Sequence, residues 1–139
     1  MNINEIQDTI IGEFGLFDQW MDKYEYIIDL GKQLPVIDNQ YKTDENLIRG
    51  CQSQVWLRAE MNNGVIRLTA DSDAIITKGI IALLIRVLAD QKPEDVANAD
   101  LYFIDAIGLK EHLSSTRSNG LVNMVNTLKS MGKSFSAMH

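Results

Sequence analysis

Ile6, Ile10, Ile11 and Phe14 fall at helical spacing across residues 4–14 and predict an amphipathic helix. Gly15 interrupts the pattern. Trp20, Tyr24, Ile27, Ile28 and Gly31 resume it across residues 17–32, while Asp22, Lys23, Glu25 and Asp29 point elsewhere. Leu34-Pro35 stops this second helix, since proline supplies no N–H and clashes with the preceding turn. Residues 36–46 are polar and irregular, like a connector that runs over a surface. Leu47-Ile48-Arg49 is apolar enough for a short edge strand, and Gly50-Cys51-Gln52-Ser53 breaks it with turn-permissive residues.

The period then changes to two. Val55, Leu57, Ala59 and Met61 alternate with Trp56, Arg58 and Glu60; Ile66, Leu68 and Ala70 alternate with Arg67, Thr69 and Asp71. Asn63-Gly64 between them is a hairpin signal, because both central positions of a type I′ turn need positive φ. Pairing outward sets Asn62 opposite Val65, Met61 opposite Ile66, Ala59 opposite Leu68 and Leu57 opposite Ala70. On the other face Glu60 meets Arg67, a favourable cross-strand charge pair. A one-residue slip would destroy both matches.

Ser72 or Asp73 is placed to cap the next helix, residues 74–89, which is apolar around most of its circumference and so reads as buried. Pro93-Glu94-Asp95 opens a short helix. Residues 101–104 fit strand or helix, and residues 105–113 lean helical. Ser118 or Asn119 begins a last helix with Leu121, Val122, Val125 and Leu128 on its inner stripe, and the tail after Gly132 is expected to fray. The pattern predicts an α+β fold, with a small antiparallel sheet of about three strands covered by helices, as one domain over residues 1–139.

Charge narrows the function. Thirteen Lys and Arg against nineteen Asp and Glu leave a net charge of -6, and without a basic stripe duplex nucleic acid is excluded as the default partner. The most apolar run, residues 79–85, falls far short of the roughly twenty residues that span a bilayer. With no signal-peptide pattern at Met1-Asn2-Ile3-Asn4-Glu5 and one unpaired thiol, a cytoplasmic location is expected.

Cys51 is the single cysteine, which removes disulfide frameworks, Cys-only zinc sites and clusters held by several thiolates of this chain. A Cys/His metal site would have to draw on both His112 and His139, so no metal is expected. Asp71 and Asp73 flank Ser72, but no further ligand spacing follows; a strand end and helix cap is the better reading. His112, in a polar helical turn, reads as an ordinary surface residue. No phosphate loop, nucleophile elbow or metalloprotease motif is present. Cys51 itself follows Gly50 in a loop, with Arg49 nearby, and not on a helix stripe. A loop thiol suits thiolate chemistry, and a small cysteine also suits a buried apolar position. Without an evident base, it fits an acceptor activated by another protein better than a stand-alone thiol enzyme. Trp56 lies on the polar sheet face, either as an interface anchor or beneath a terminal helix.

The run Gly50-Cys51-Gln52-Ser53-Gln54-Val55-Trp56 resembles the signature of the SufE family without a substitution. Three further stretches agree in order: residues 26–31 with Leu34-Pro35, Asp71-Ser72-Asp73-Ala74 leading into residues 78–82, and Arg117-Ser118-Asn119-Gly120-Leu121, where Thr116 replaces the family's first serine. The resemblance covers nearly the whole chain. It implies the α+β fold shared with IscU scaffolds, and a partner that is a pyridoxal-phosphate cysteine desulfurase of the SufS or CsdA type. It implies no cofactor on this chain. Cys51 falls on the family's acceptor position, where a thiolate takes sulfane sulfur from the desulfurase and carries it toward iron–sulfur assembly, with the SufBCD complex a candidate recipient. IscU scaffolds use several cysteines; this chain has one and resembles the carrier.

Persulfide transfer is attack of a thiolate on a sulfur–sulfur bond, which needs one nucleophilic cysteine and no metal. A persulfide is readily reduced or oxidised, so Cys51 is expected to rest against the apolar sheet or a helix and to swing out on docking. Arg49, Gly50, Gln52, Trp56, Asp73 and Arg117 are the candidates for supporting the loop or meeting the partner. For Asp73 capping is the first role. Arg117 is open between contact with the Cys51 loop or partner and a solvated helix start. A non-covalent activator that carries no sulfur is the alternative function. Monomer and homodimer both stay open.

Overall fold

The Asn63-Gly64 turn closes a hairpin of β1 (Val55–Asn62) and β2 (Val65–Ser72), with φ of 53° and 86° at its two central residues. The register is the expected one, from Asn62 opposite Val65 through Leu57 opposite Ala70 to Val55 opposite Ser72. Val55, Leu57, Ile66, Leu68 and Ala70 are buried on one face. Glu60 stands opposite Arg67, though its carboxylate takes Arg58 on its own strand at 3.0 Å.

The computed structural model describes residues 1–138, and His139 lies outside them. Around the hairpin come α1 (Ile3–Phe14), α2 (Trp20–Gly31), α3 (Ile75–Leu88), α4 (Pro93–Ala97), α5 (Phe103–Ala106) and α6 (Ser115–Ala137). Single 3₁₀ turns fall at Asn39–Tyr41, Asp44–Asn46 and Lys110–His112. α1 starts with a reciprocal cap, in which Asn2 Oδ1 accepts the Glu5 N–H and Glu5 Oε1 accepts the Asn2 N–H. α3 is the central helix and packs against β2, α1, α2 and α6. Its apolar circumference follows from that position, with residues from Ile76 to Leu88 almost all buried.

The sheet has two strands, not three. Leu47 makes one antiparallel bridge to Trp56, and the Ile48 N–H donates to Val55 O at 2.8 Å. Gly50, at φ 81°, then turns the chain away before a strand can form. Val36 makes a similar single bridge to Ala70, so each hairpin edge is capped by a short piece of connector. That connector also covers the end of the polar sheet face: Lys42 sits 5.5 Å from the Trp56 ring, and the Arg58 guanidinium lies 3.9 Å over Tyr41. Trp56 is therefore partly buried under residues 36–46, not under a terminal helix.

Three expectations toward the C-terminus change. Helix over residues 105–113 is limited to α5 and one 3₁₀ turn, because Gly108 takes φ 72° between them. α6 begins at Ser115, earlier than Ser118, since Ser114 Oγ accepts the Arg117 N–H and caps it there. It also continues to Ala137 without fraying, because Phe135 packs on the core beyond the buried Gly132.

α2 and α3 meet backbone to backbone. A Cβ on Gly79 would lie 2.2 Å from Ile27 O and 2.7 Å from Ile27 Cγ2. Gly79→Ala would gain helix propensity but force the helices apart, and is expected to lose about 2 kcal/mol in urea unfolding. A second tie joins α1 to α3: Arg86 Nη1 and Nη2 donate to the Glu13 carboxylate at 2.7 and 2.6 Å, and the Tyr26 hydroxyl donates to the same group. The Arg86 guanidinium, helped by Tyr26, holds the Glu13 carboxyl below its ordinary range against the opposing effect of burial. This stabilisation is present above the unfolded carboxylate pKa and is lost as pH falls through the lower folded value. Glu13→Gln is expected to cost about 1 kcal/mol at neutral pH, with partial exposure limiting the loss. The gap between wild type and variant should close in urea titrations carried below about pH 4.

Candidate functional site

Cys51 lies in a six-residue excursion, residues 49–54, whose base is closed by the Ile48 N–H bond to Val55 O. Gly50 makes the sharp turn possible, and its missing Cβ matters twice: φ is 81°, and a Cβ would stand 2.2 Å from Asn123 Nδ2. That same Asn123 amide donates to Gly50 O at 3.2 Å, tying the loop to α6. The thiol rests on α6 as well. Cys51 Sγ is 3.7 Å from Gly120 O, and a Cβ on Gly120 would lie 3.5 Å from the sulfur.

The other end of the loop is tied to the corner between β2 and α3. The Gln54 N–H donates to Asp73 Oδ1 at 3.0 Å, and Gln54 O accepts the Ser72 hydroxyl at 2.8 Å. Asp73 therefore does not cap α3. The residue at the cap position is Ala74, whose N–H donates to Ser72 Oγ at 3.2 Å, and the Asp73 carboxylate is spent on the loop. Asp71 turns the other way, taking Lys42 at 2.6 Å and Lys78 at 3.3 Å. The two carboxylates do not converge, and among the described residues no three His, Cys, Asp or Glu side chains are grouped to hold a metal ion.

Beside the loop opens a cleft of about 270 Å³, lined by Gln52, Ser53, Thr77, Arg117, Gly120 and Met124 among others. Arg117 stands in the first turn of α6, and its Nη1 is 3.4 Å from the Tyr24 hydroxyl. At the floor Ser53 Oγ and Thr77 Oγ1 are 3.1 Å apart. Of the sequence candidates, Gly50, Cys51, Gln52, Asp73 and Arg117 thus gather around one loop and cleft. Arg49 is exposed and makes no hydrogen bond or ion pair among the described residues. Trp56 belongs to the connector side of the sheet and lines none of this cleft. His112 is stacked on Trp20, with ring centroids 4.1 Å apart.

Asn123, Thr77 and Tyr24 were not singled out from sequence. Thr77 carried a signal, as the one hydroxyl residue in the otherwise apolar face-to-face run of α3. Asn123 and Tyr24 carried none, because their partners lie 73 and 93 residues away in sequence.

Burial pushes the Cys51 thiol above its ordinary pKa, so the resting sulfur is protonated at neutral pH. Among the described residues no lysine, arginine or histidine offsets that burial. The arrangement can present a thiol on a loop tied by a handful of hydrogen bonds, but it does not activate the thiol in place.

A two-stranded α+β domain with one partly buried loop thiol and no metal-ligand cluster among its described residues defines a class of small single-thiol proteins. The chain belongs to the SufE family: the family model described as SufE, Fe-S metabolism associated domain, matches residues 8–131. An uncharacterized SufE-like protein of Rhizobium meliloti is 38% identical over 128 residues, covering 88% of this chain and 91% of the relative. One from Rhizobium etli is 39% identical over 131 residues, covering 91% and 88%. The fold is also that of a hypothetical protein from Thermus thermophilus solved in solution, with a TM-score of 0.77, 18% identity and coverage of 93% and 94%.

If the loop ties hold the thiol in its protonated state, Asn123→Ala should loosen them without touching the sulfur. Alkylation of Cys51 is expected to speed up several-fold at neutral pH, and its pH–rate profile to move toward that of free cysteine. Stopped-flow thiol titration across pH 7 to 10 measures both; an unchanged profile would mean that the Asn123 tie does not hold the loop.

Proposed function

We propose that Cys51 accepts sulfane sulfur from a pyridoxal-phosphate cysteine desulfurase and carries it into iron–sulfur assembly. Membership of an Fe-S metabolism family supports the general role. The observation that carries the specific one is the state of the thiol: alone, protonated by burial, and held on a glycine-hinged loop by bonds that docking can exchange. Such a thiol is quiet toward small oxidants and reactive only once a partner draws the loop out of its resting place.

The step balances without a metal or an external oxidant. Cys51 loses its proton to a base of the desulfurase or to water. The thiolate attacks the terminal sulfur of the donor's cysteine persulfide, a new S–S bond forms on Cys51, and the donor's S–S bond breaks. Its electron pair stays on the donor cysteine, which leaves as a thiolate. The chain turns over nothing by itself in this reading. It acts as an accessory whose docking clears sulfur from the desulfurase.

Incubation with a cysteine desulfurase, pyridoxal phosphate and free cysteine, followed by intact-mass measurement, tests the proposal. The expected result is a gain of one sulfur atom that Cys51→Ser abolishes. Stimulation of the desulfurase that survives Cys51→Ser, with no mass gain in wild type, would replace the carrier by a non-covalent activator.

A further inference from the structure

The chain holds two Asn-Gly pairs, Asn63-Gly64 at the hairpin turn and Asn119-Gly120 in α6. Glycine has no Cβ to shield its amide nitrogen, so that nitrogen is free to attack the side chain of a preceding asparagine. Attack closes a five-membered ring through the asparagine Cα, Cβ and Cγ. The ring closes only where the asparagine ψ is about −120°, which is the value at the first central residue of a type II′ turn.

Asn63 and Gly64 have φ of 53° and 86°, the two positive values of a type I′ turn. Type II′ differs from it by one rotation of the peptide plane between these residues. Asn63 keeps a φ of about +60° and swings ψ to about −120°, while Gly64 moves to a φ of about −80°. Glycine populates both signs of φ without cost. Both turns match the twist of the flanking strands, so β1 and β2 keep their register while the plane flips. The surroundings are open. Asn62, Asn63 and Gly64 are exposed, and beyond the chain neighbours no atom lies within 4 Å of the place of a Gly64 Cβ. Among the described residues the Gly64 N–H donates to no backbone carbonyl.

Asn119-Gly120 is held differently. Gly120 is buried within α6, where ψ is about −42° and each amide is a rung of the hydrogen-bond ladder. Turning that plane would break the helix at its contact with Cys51, whose Sγ is 3.5 Å from the place of a Gly120 Cβ.

We infer that the Asn63-Gly64 turn is a site of spontaneous deamidation in the folded protein, with water as the only co-reactant, and that Asn119-Gly120 is spared. The Gly64 nitrogen gives up its proton and bonds to Asn63 Cγ; the Cγ–Nδ2 bond breaks and ammonia leaves. Water then opens the ring. Opening at Cγ leaves an aspartate, and opening at the main-chain carbonyl leaves an isoaspartate whose backbone runs through Cβ. Nothing is oxidised or reduced, and each event adds one negative charge. Aspartate suits the turn, since Asp-Gly is itself a hairpin pair. Isoaspartate puts an extra carbon into a two-residue loop and loosens the closing pair of Asn62 and Val65.

Holding the folded chain in mildly alkaline buffer, with a second sample in urea, and mapping proteolytic peptides by mass tests the inference. In urea both asparagines are expected to convert at similar rates. In the folded chain Asn63 should convert within about tenfold of its urea rate, because the flip needs no unfolding, whereas Asn119 should slow by at least about a hundredfold. Asn63→Gln, whose longer side chain would need a six-membered ring, should leave the turn peptide unmodified. A folded chain in which Asn63 is spared as strongly as Asn119 would overturn the inference, as would equal conversion at both sites in the folded chain.

Discussion

The contact between α2 and α3 at Gly79 sets the position of everything around Cys51. Helix backbones normally stay 8–10 Å apart because side chains fill the space between their axes. Here Ile27 O occupies the place where a Cβ of residue 79 would stand, and Gly31 reciprocates. The consequence is felt just before it on the chain, where Ala74 at the cap of α3 and Thr77 in its first turn line the cleft, and at Tyr24, one turn before Ile27 on α2, which reaches Arg117. The cysteine loop has few internal bonds. Its shape is borrowed from three rigid neighbours whose spacing this packing contact controls.

The loop and its surroundings divide the chemistry between them. Within the loop the requirements are small: a glycine to turn, a thiol, and polar residues that tolerate exposure. Outside it, Asn123 and Gly120 on α6 hold one side, and Ser72 and Asp73 hold the other. These ties are one or two hydrogen bonds apiece, each bond worth about 1 kcal/mol net and somewhat more where the Asp73 carboxylate accepts. A docking partner that offers comparable bonds can exchange them at little net cost, whereas the hydrophobic packing of α3 beneath them is not exchangeable. A thiol held by exchangeable bonds on a tightly packed platform is what this distribution of strengths produces.

Burial and reactivity are coupled by the same geometry. Contact with α6 desolvates the sulfur and keeps its proton on, and among the described residues no cation reverses the effect. Arg117 instead lines the cleft and donates to the Tyr24 hydroxyl. In this fold the resting thiol keeps its proton, and reactivity requires a change in its surroundings.

Alternation through β1 and β2, the Asn63-Gly64 turn, and the apolar circumference of α3 were legible from the chain because each is a local pattern with one low-energy register. Cys51 was legible for a different reason, as the one thiol within an unbroken Gly50–Trp56 run. Asp73 was misread as a cap because a carboxylate beside a helix start has two competing uses. Only the folded loop shows that Gln54 claims it first. The third strand failed similarly: Leu47 and Ile48 are apolar enough, but the turn at Gly50 allows a single bridge. By itself the sequence determined the hairpin, the buried helix and the place of the single thiol, since these depend on neighbours within a few residues. Tertiary structure alone decided that Asn123 ties the Cys51 loop, that Thr77 and Arg117 line the cleft beside it, and that Tyr24 reaches Arg117. Such groupings arise where distant segments are packed against one another by the core, and no periodicity along the chain encodes them.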